Sequence, residues 1–109
     1  MSAISLSDAI ALTQNYRDNK DSILDPKVNP DVLPICESFD RADFDALLAQ
    51  TDCQGIRIYM GMDKDLNQRV VAVGVNSDDE DILTTDEEII IEKGVRCPDV
   101  CPPSSSLNS

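Results

Sequence analysis

Along this chain the spacing of apolar positions changes period, and the changes mark out its elements. Between residues 5 and 19, Leu6, Ala9, Ile10, Thr13 and Tyr16 recur at intervals of three and four, which places them on one face of a helix. Ser5 followed three residues later by Asp8 is a capping-box signal with Asp in place of the usual Glu. The polar run Arg17-Asp18-Asn19-Lys20-Asp21 ends this first predicted helix.

Residues 20–37 carry Pro26, Pro30 and Pro34. Prolines so spaced block a helix and remove ladder donors, so the stretch reads as an irregular connection. Ile23, Leu24, Val28, Val32, Leu33 and Ile35 indicate that it packs along the surface, and a connection this long can also be a binding loop. A second helix is predicted over about Arg41 to Gln50. Asp40 stands at its N-cap, Asp43 at N3, and Phe39 and Phe44 at the two positions of a hydrophobic staple. Phe44, Leu47 and Leu48 form its predicted buried face.

From Gly55 the period falls to two. Ile56, Ile58, Met60 and Met62 alternate with Arg57 and Tyr59, and Arg69 to Val75 repeats the pattern with Val71, Val73 and Val75. With Asp63-Lys64-Asp65-Leu66-Asn67 as the turn, the two runs make a β-hairpin. Asn76 to Asp81 is an acidic loop, and Glu88 to Glu92, containing Ile89-Ile90-Ile91, reads as a third strand. The predicted fold is α+β, with two helices packed on one face of a small antiparallel sheet of about three strands. Residues 1–95 are expected to form one domain. Residues 96–109 are expected to form an irregular Cys/Pro-rich tail with a Ser-rich end, ordered only where it docks.

Charge narrows the partners. The chain has 109 residues and a formal net charge of −12, from 21 acidic and 9 basic residues. Such a field repels phosphate backbones and anionic lipid surfaces, so neither nucleic acid nor membrane is an expected direct partner. A protein partner or a homo-oligomer remains. Acidity can serve solubility alone, or it can fit a basic partner, in the extreme as an acidic inhibitor of a nucleic-acid-binding protein. Aromatic residues are 4% with no Trp, so the core is expected to be aliphatic. There is no histidine, which removes Ser-His-Asp and Cys-His catalysis and every His-ligated metal site. The N-terminus lacks the basic and apolar regions of a signal peptide, and no run approaches the ~20 apolar residues of a membrane span. The expected location is therefore cytoplasmic, where thiols stay reduced, and the four cysteines are not read as a disulfide framework.

Three clusters carry candidate chemistry. Asp63-Lys64-Asp65-Leu66-Asn67 opens like a calcium-binding loop, but Gln68 stands in place of the turn glycine and Gly74 in place of the bidentate Glu, so it reads as a hairpin turn. Asp78-Asp79-Glu80-Asp81 with Asp86, Glu87 and Glu88 offers at most weak, non-specific calcium or magnesium binding. The cysteines carry the main question. Cys97 and Cys101 have the spacing of a zinc half-site, and proline after each resembles iron–sulfur loops. Cys36 precedes the second helix and Cys53 follows it, and ten to twelve helical residues span roughly 15–18 Å, which argues against a four-cysteine site. Cys36, Cys97 and Cys101 are the candidate metal ligands, for zinc or an iron–sulfur cluster, with Cys53 a small core residue. A redox-active Cys97/Cys101 pair and structurally inert cysteines are the alternatives. No catalytic residue is assigned.

The segment Pro34-Ile35-Cys36-Glu37-Ser38-Phe39, the strand Ile56-Arg57-Ile58-Tyr59-Met60-Gly61-Met62 and the tail Arg96-Cys97-Pro98-Asp99-Val100-Cys101-Pro102-Pro103 carry a resemblance. Together with the helical start from Ile4 to Arg17, they resemble a group of small uncharacterised proteins of Bacteroidota-type bacteria. Asp99 and Val100 stand where that pattern has a proline and a polar residue, and Cys53 lies outside it. The resemblance covers most of the chain and implies no activity. The functional expectation is a small acidic binding or assembly module, non-enzymatic, whose Cys-Pro tail binds a metal or fastens the C-terminus. The alternatives are a thiol-dependent redox protein using Cys97 or Cys101, and the acidic inhibitor.

Overall fold

A computed structural model describes residues 3–83, 90–91 and 94–109. The fold is α+β: helix α1 (Leu6–Asn19), strand β1 (Cys36–Ser38), helix α2 (Arg41–Leu48), strands β2 (Gly55–Met62) and β3 (Gln68–Val75), and strand β4 (Val95–Cys97). Among the described residues the strands form two two-stranded sheets, β1 with β4 and β2 with β3, rather than one sheet of three. The chain folds as two compact units. One comprises residues 1–36 with 96–109, the other Glu37–Val95.

In the first unit α1 starts where its cap signal lies, with the Ser5 hydroxyl accepting from the Asp8 N–H at 3.1 Å. No residue of α1 is buried. Ala9, Ile10, Thr13, Arg17 and Lys20 are its half-covered stripe, whereas Leu6 and Leu12 remain exposed. The proline-bearing connection holds two 3-10 turns, Lys20–Ile23 and Pro30–Val32. Its free carbonyls are satisfied by side chains. Lys20 Nζ donates to Pro30 O and Leu33 O, Tyr16 donates to Pro34 O, and Arg96 reaches Asp31 O and Val32 O. The tail belongs to this unit, where Arg17 donates to the carbonyls of Leu107 at 2.5 Å and Ser109 at 3.0 Å. Among the described residues of the unit, only Arg96 and Cys97 are buried.

The second unit contains the apolar core of Leu47, Ala72 and Ile91, with Phe39, Phe44 and Ile56 packed against it. The staple forms as the sequence implies, with the Phe39 and Phe44 rings stacked at 5.6 Å. Asp40 occupies the N-cap position, but its side chain makes no capping hydrogen bond. Leu48, expected inside, is 50% exposed, because a helix of only eight residues turns one narrow stripe inward. The hairpin pairs in register from Gly55↔Val75 to Met62↔Gln68. Its turn is built on Asp63, whose carboxylate accepts from the Asp65 and Asn67 N–H groups, and Leu66 adopts φ +69°. That left-handed conformation strains a branched residue. Since Leu66 is also exposed, Leu66→Gly is expected to raise stability by about 1 kcal/mol in denaturant unfolding.

Of the predicted third strand, Glu88, Ile89 and Glu92 lie outside the described residues. Ile91 is described. It exchanges both backbone hydrogen bonds with Ala72, as an isolated antiparallel bridge on the side of β3 away from β2. Val75 bridges Asp81 on that same side.

Candidate functional site

The hairpin combines a long strand with a short helix. Eight strand residues extend about 26 Å, whereas eight helical residues extend about 12 Å. The apolar face predicted for β2 is therefore covered at one end only. Ile56 packs into the core beside Leu47 and Ala72. Beyond it Ile58 is 50% exposed, Met60 67% and Met62 66%. Val70 and Gln68, their cross-strand neighbours beyond Ala72, continue this face on β3.

The outer edge of β2 is also unoccupied, since among the described residues β2 pairs with β3 alone. Proteins blunt such edges with prolines, bulges, inward charges or short strands. β2 is eight residues long, holds no proline, pairs without a bulge, and carries a single charge, Arg57. That charge is already matched: the Arg57 guanidinium contacts Asp79 and Asp81 at 2.6 Å each. Tyr59 donates to the second Asp81 oxygen. The acidic loop consequently lies on the Arg57/Tyr59 face of the strand, opposite the methionines.

These contacts shift ionisation. The Tyr59 hydroxyl and then the Arg57 guanidinium hold the Asp81 carboxyl below the usual carboxylate range, while the same hydrogen bond raises Tyr59. The Ser77 hydroxyl and N–H lower Asp52 in the same way. Both carboxyls lose their protons at lower pH in the folded chain than in the unfolded one. Their stabilisation is therefore complete above the ordinary carboxylate range and lost as pH falls through it. Melting temperature followed from about pH 5 to about pH 2.5 should fall less for Asp81→Asn than for the unsubstituted protein.

The cysteine cluster takes a form the sequence reading did not favour. Cys97 and Cys101 are joined as a disulfide with a Cα–Cα distance of 4.5 Å, where thiols had been expected. The turn that follows β4 brings them together, closed by the Val100 N–H donating to Arg96 O at 2.9 Å and by Arg96 pairing with Asp99 at 3.5 Å. Cys97 is buried and Cys101 exposed. Cys36 is a free, half-buried thiol at the start of β1, one residue beyond Ile35, whose N–H donates to Cys97 O at 2.9 Å. In the disulfide form Cys97 and Cys101 offer no thiolate. Among the described residues no three His, Cys, Asp or Glu groups are gathered so as to hold a metal ion. Cys53 packs near Gly74, where an added Cβ would sit 3.0 Å from its sulfur and 2.7 Å from Gln50 Oε1.

Glu37, from the Pro-x-Cys-Glu segment, is a feature that sequence reasoning missed. Both its carboxylate oxygens are buried without a hydrogen-bond partner. It lies against Gly94, where an added Cβ would come within 2.7 Å of Glu37 Cγ and 2.8 Å of Phe39 Cζ. No helix among the described residues is long and apolar enough to cross a membrane. The chain matched no protein-family model, no curated protein and no solved structure.

Proposed function

We propose that the protein is a non-enzymatic binding module that works through the outer edge of β2 and the exposed Ile58–Met60–Met62 face. The observation that carries this reading is the exposure of those three side chains on a strand without a second neighbour among the described residues. Exposed apolar area at a flat, unblunted edge favours pairing with another chain. Backbone hydrogen bonds supply affinity there, and alternate side chains supply selectivity. Methionine suits such a surface because its flexible thioether adapts to different contacts. The expectation drawn from sequence, a protein partner or second copy and not nucleic acid or membrane, is kept in this reading.

The test is a selection from a displayed library of random nine-residue peptides, counter-screened against Met60→Ser/Met62→Ser. The reading expects enrichment of extended apolar sequences that bind the unsubstituted protein and not the variant. Sequences that bind both equally, or no enrichment by a protein that stays monomeric at every concentration on a sizing column, would refute it.

A second reading rests on the Cys97–Cys101 disulfide with one buried and one exposed sulfur. A partner thiolate would attack Cys101 Sγ, breaking the S–S bond and releasing Cys97 as thiolate. Attack by the partner's second thiolate on its own sulfur of the mixed disulfide would then release Cys101 as thiolate, leaving the partner with a disulfide and the Cys97/Cys101 pair reduced. Equilibration with glutathione buffers distinguishes the readings. A bond that exchanges within the glutathione range supports redox work, and one that stays closed there is structural.

A further inference from the structure

We propose that the partner of β2 is an extended segment of a basic protein in which apolar residues alternate with Lys or Arg, added to the edge as a further strand. The proposal rests on the reading of β2 as the binding surface and adds the chemistry of what binds.

Charge within the chain is unevenly divided. Between Glu37 and Val95 there are fifteen acidic and five basic residues, a formal −10. The remaining residues hold six and four, a formal −2. The unit that presents the exposed strand thus carries most of the negative charge. A second copy brings another −10 to the same edge, and like charges oppose that approach. A nucleic acid is repelled for the same reason. A basic segment is drawn in.

Strand geometry fixes the alternation. Successive side chains of an added strand point to opposite faces. One set would lie beside Ile58, Met60 and Met62, which are apolar and half or more exposed. The other set would lie on the face of Arg57 and Tyr59, the face to which these two side chains hold the acidic loop with its exposed Asp78 and Glu80, although the loop itself joins the sheet beyond β3. Arg57 neutralises part of that loop, and the Asp79 side chain remains 86% exposed. Apolar on one side and cationic on the other is the pattern that satisfies both faces.

The experiment measures binding of labelled nine-residue peptides to the full chain by fluorescence anisotropy. The probes are alternating valine and lysine, valine and serine, valine and glutamate, and the valine–lysine peptide N-methylated at alternate residues. The valine–lysine peptide should bind best, and should weaken about tenfold between roughly 50 mM and 300 mM NaCl as screening grows. N-methylation, which removes the strand donors, should cost about tenfold or more. Met60→Ser/Met62→Ser, which leaves charge unchanged, should cost about thirtyfold. Circular dichroism and thermal melting confirm that the variant is folded.

Equal binding of the valine–serine and valine–lysine peptides would overturn the basic class and leave β2 as the binding surface. Binding of the valine–lysine peptide that ignores both the methionine changes and N-methylation would be non-specific attraction, and would overturn the proposal. A dimer abolished by the same methionine changes, with no peptide bound, would assign the edge to a second copy and would overturn the proposal while sparing the reading beneath it. No binding and no dimer would overturn both.

Discussion

Leu47→Ala is expected to destabilise the protein by about 3 kcal/mol, the largest effect of any single truncation considered. Leu47 is the large side chain with no exposure at all among the described residues. It is the point where α2 meets Ala72 and Ile91, with Phe39, Phe44 and Ile56 around it. Aromatic residues are few, so aliphatic burial supplies most of this core. Removing three carbons forfeits transfer energy of about 2 kcal/mol. Cavity formation adds to that, because Ala72 is already too small to fill the gap and the stacked phenylalanines are fixed by the helix start. Denaturant unfolding followed by tryptophan-free probes such as far-ultraviolet circular dichroism would measure it. A loss under about 1 kcal/mol would mean that Leu47 is not the keystone of the second unit.

Cys97→Ala/Cys101→Ala is expected to cost about 2 kcal/mol under non-reducing conditions. The crosslink closes a loop of five residues, Cys97 to Cys101, and the chain-entropy relation gives about 2 kcal/mol for a loop so short. The effect matters more here than in a well-filled domain. Arg96 and Cys97 are the only buried residues among those described in the first unit, so that unit depends on polar contacts and on this bond. Arg96 reaches the Asp31 and Val32 carbonyls from the residue beside the crosslink, and loosening the turn loosens those contacts. Thermal unfolding with and without a dithiol reductant should show the same loss for the reduced protein as for the double variant. Identical melting of all three forms would show that the bond adds no stability and would contradict this expectation.

Local signals in the sequence translated well into structure. Ser5 and Asp8 located the start of α1, the Phe39/Phe44 staple located α2, and alternation from Ile56 to Met62 set the hairpin and its turn. Each depends on residues close in the chain, where spacing alone decides which side chains meet. What could not be read was pairing between distant segments. Cys36–Ser38 lies in a proline-spaced connection with no strand pattern, yet it becomes β1 by pairing with β4, some sixty residues away. The tail looked unordered by composition, and its order comes from Arg17 binding the Leu107 and Ser109 carbonyls. The proposed binding surface was half legible. Periodicity identified Ile56, Ile58, Met60 and Met62 as one face but not how much of it is covered, because alternation says which residues point together and not what packs on them. The length of α2 decides that, and at eight residues it covers Ile56 and stops.

The central claim is that Met60 and Met62 form a binding surface and are not merely uncovered. The most direct measurement is the affinity of a peptide selected on the unsubstituted protein, compared with its affinity for Met60→Ser/Met62→Ser. Both side chains are about two-thirds exposed, and covering them is worth about 2 kcal/mol. The account therefore predicts roughly thirtyfold weaker binding to the variant. Equal affinity for the two proteins would contradict it.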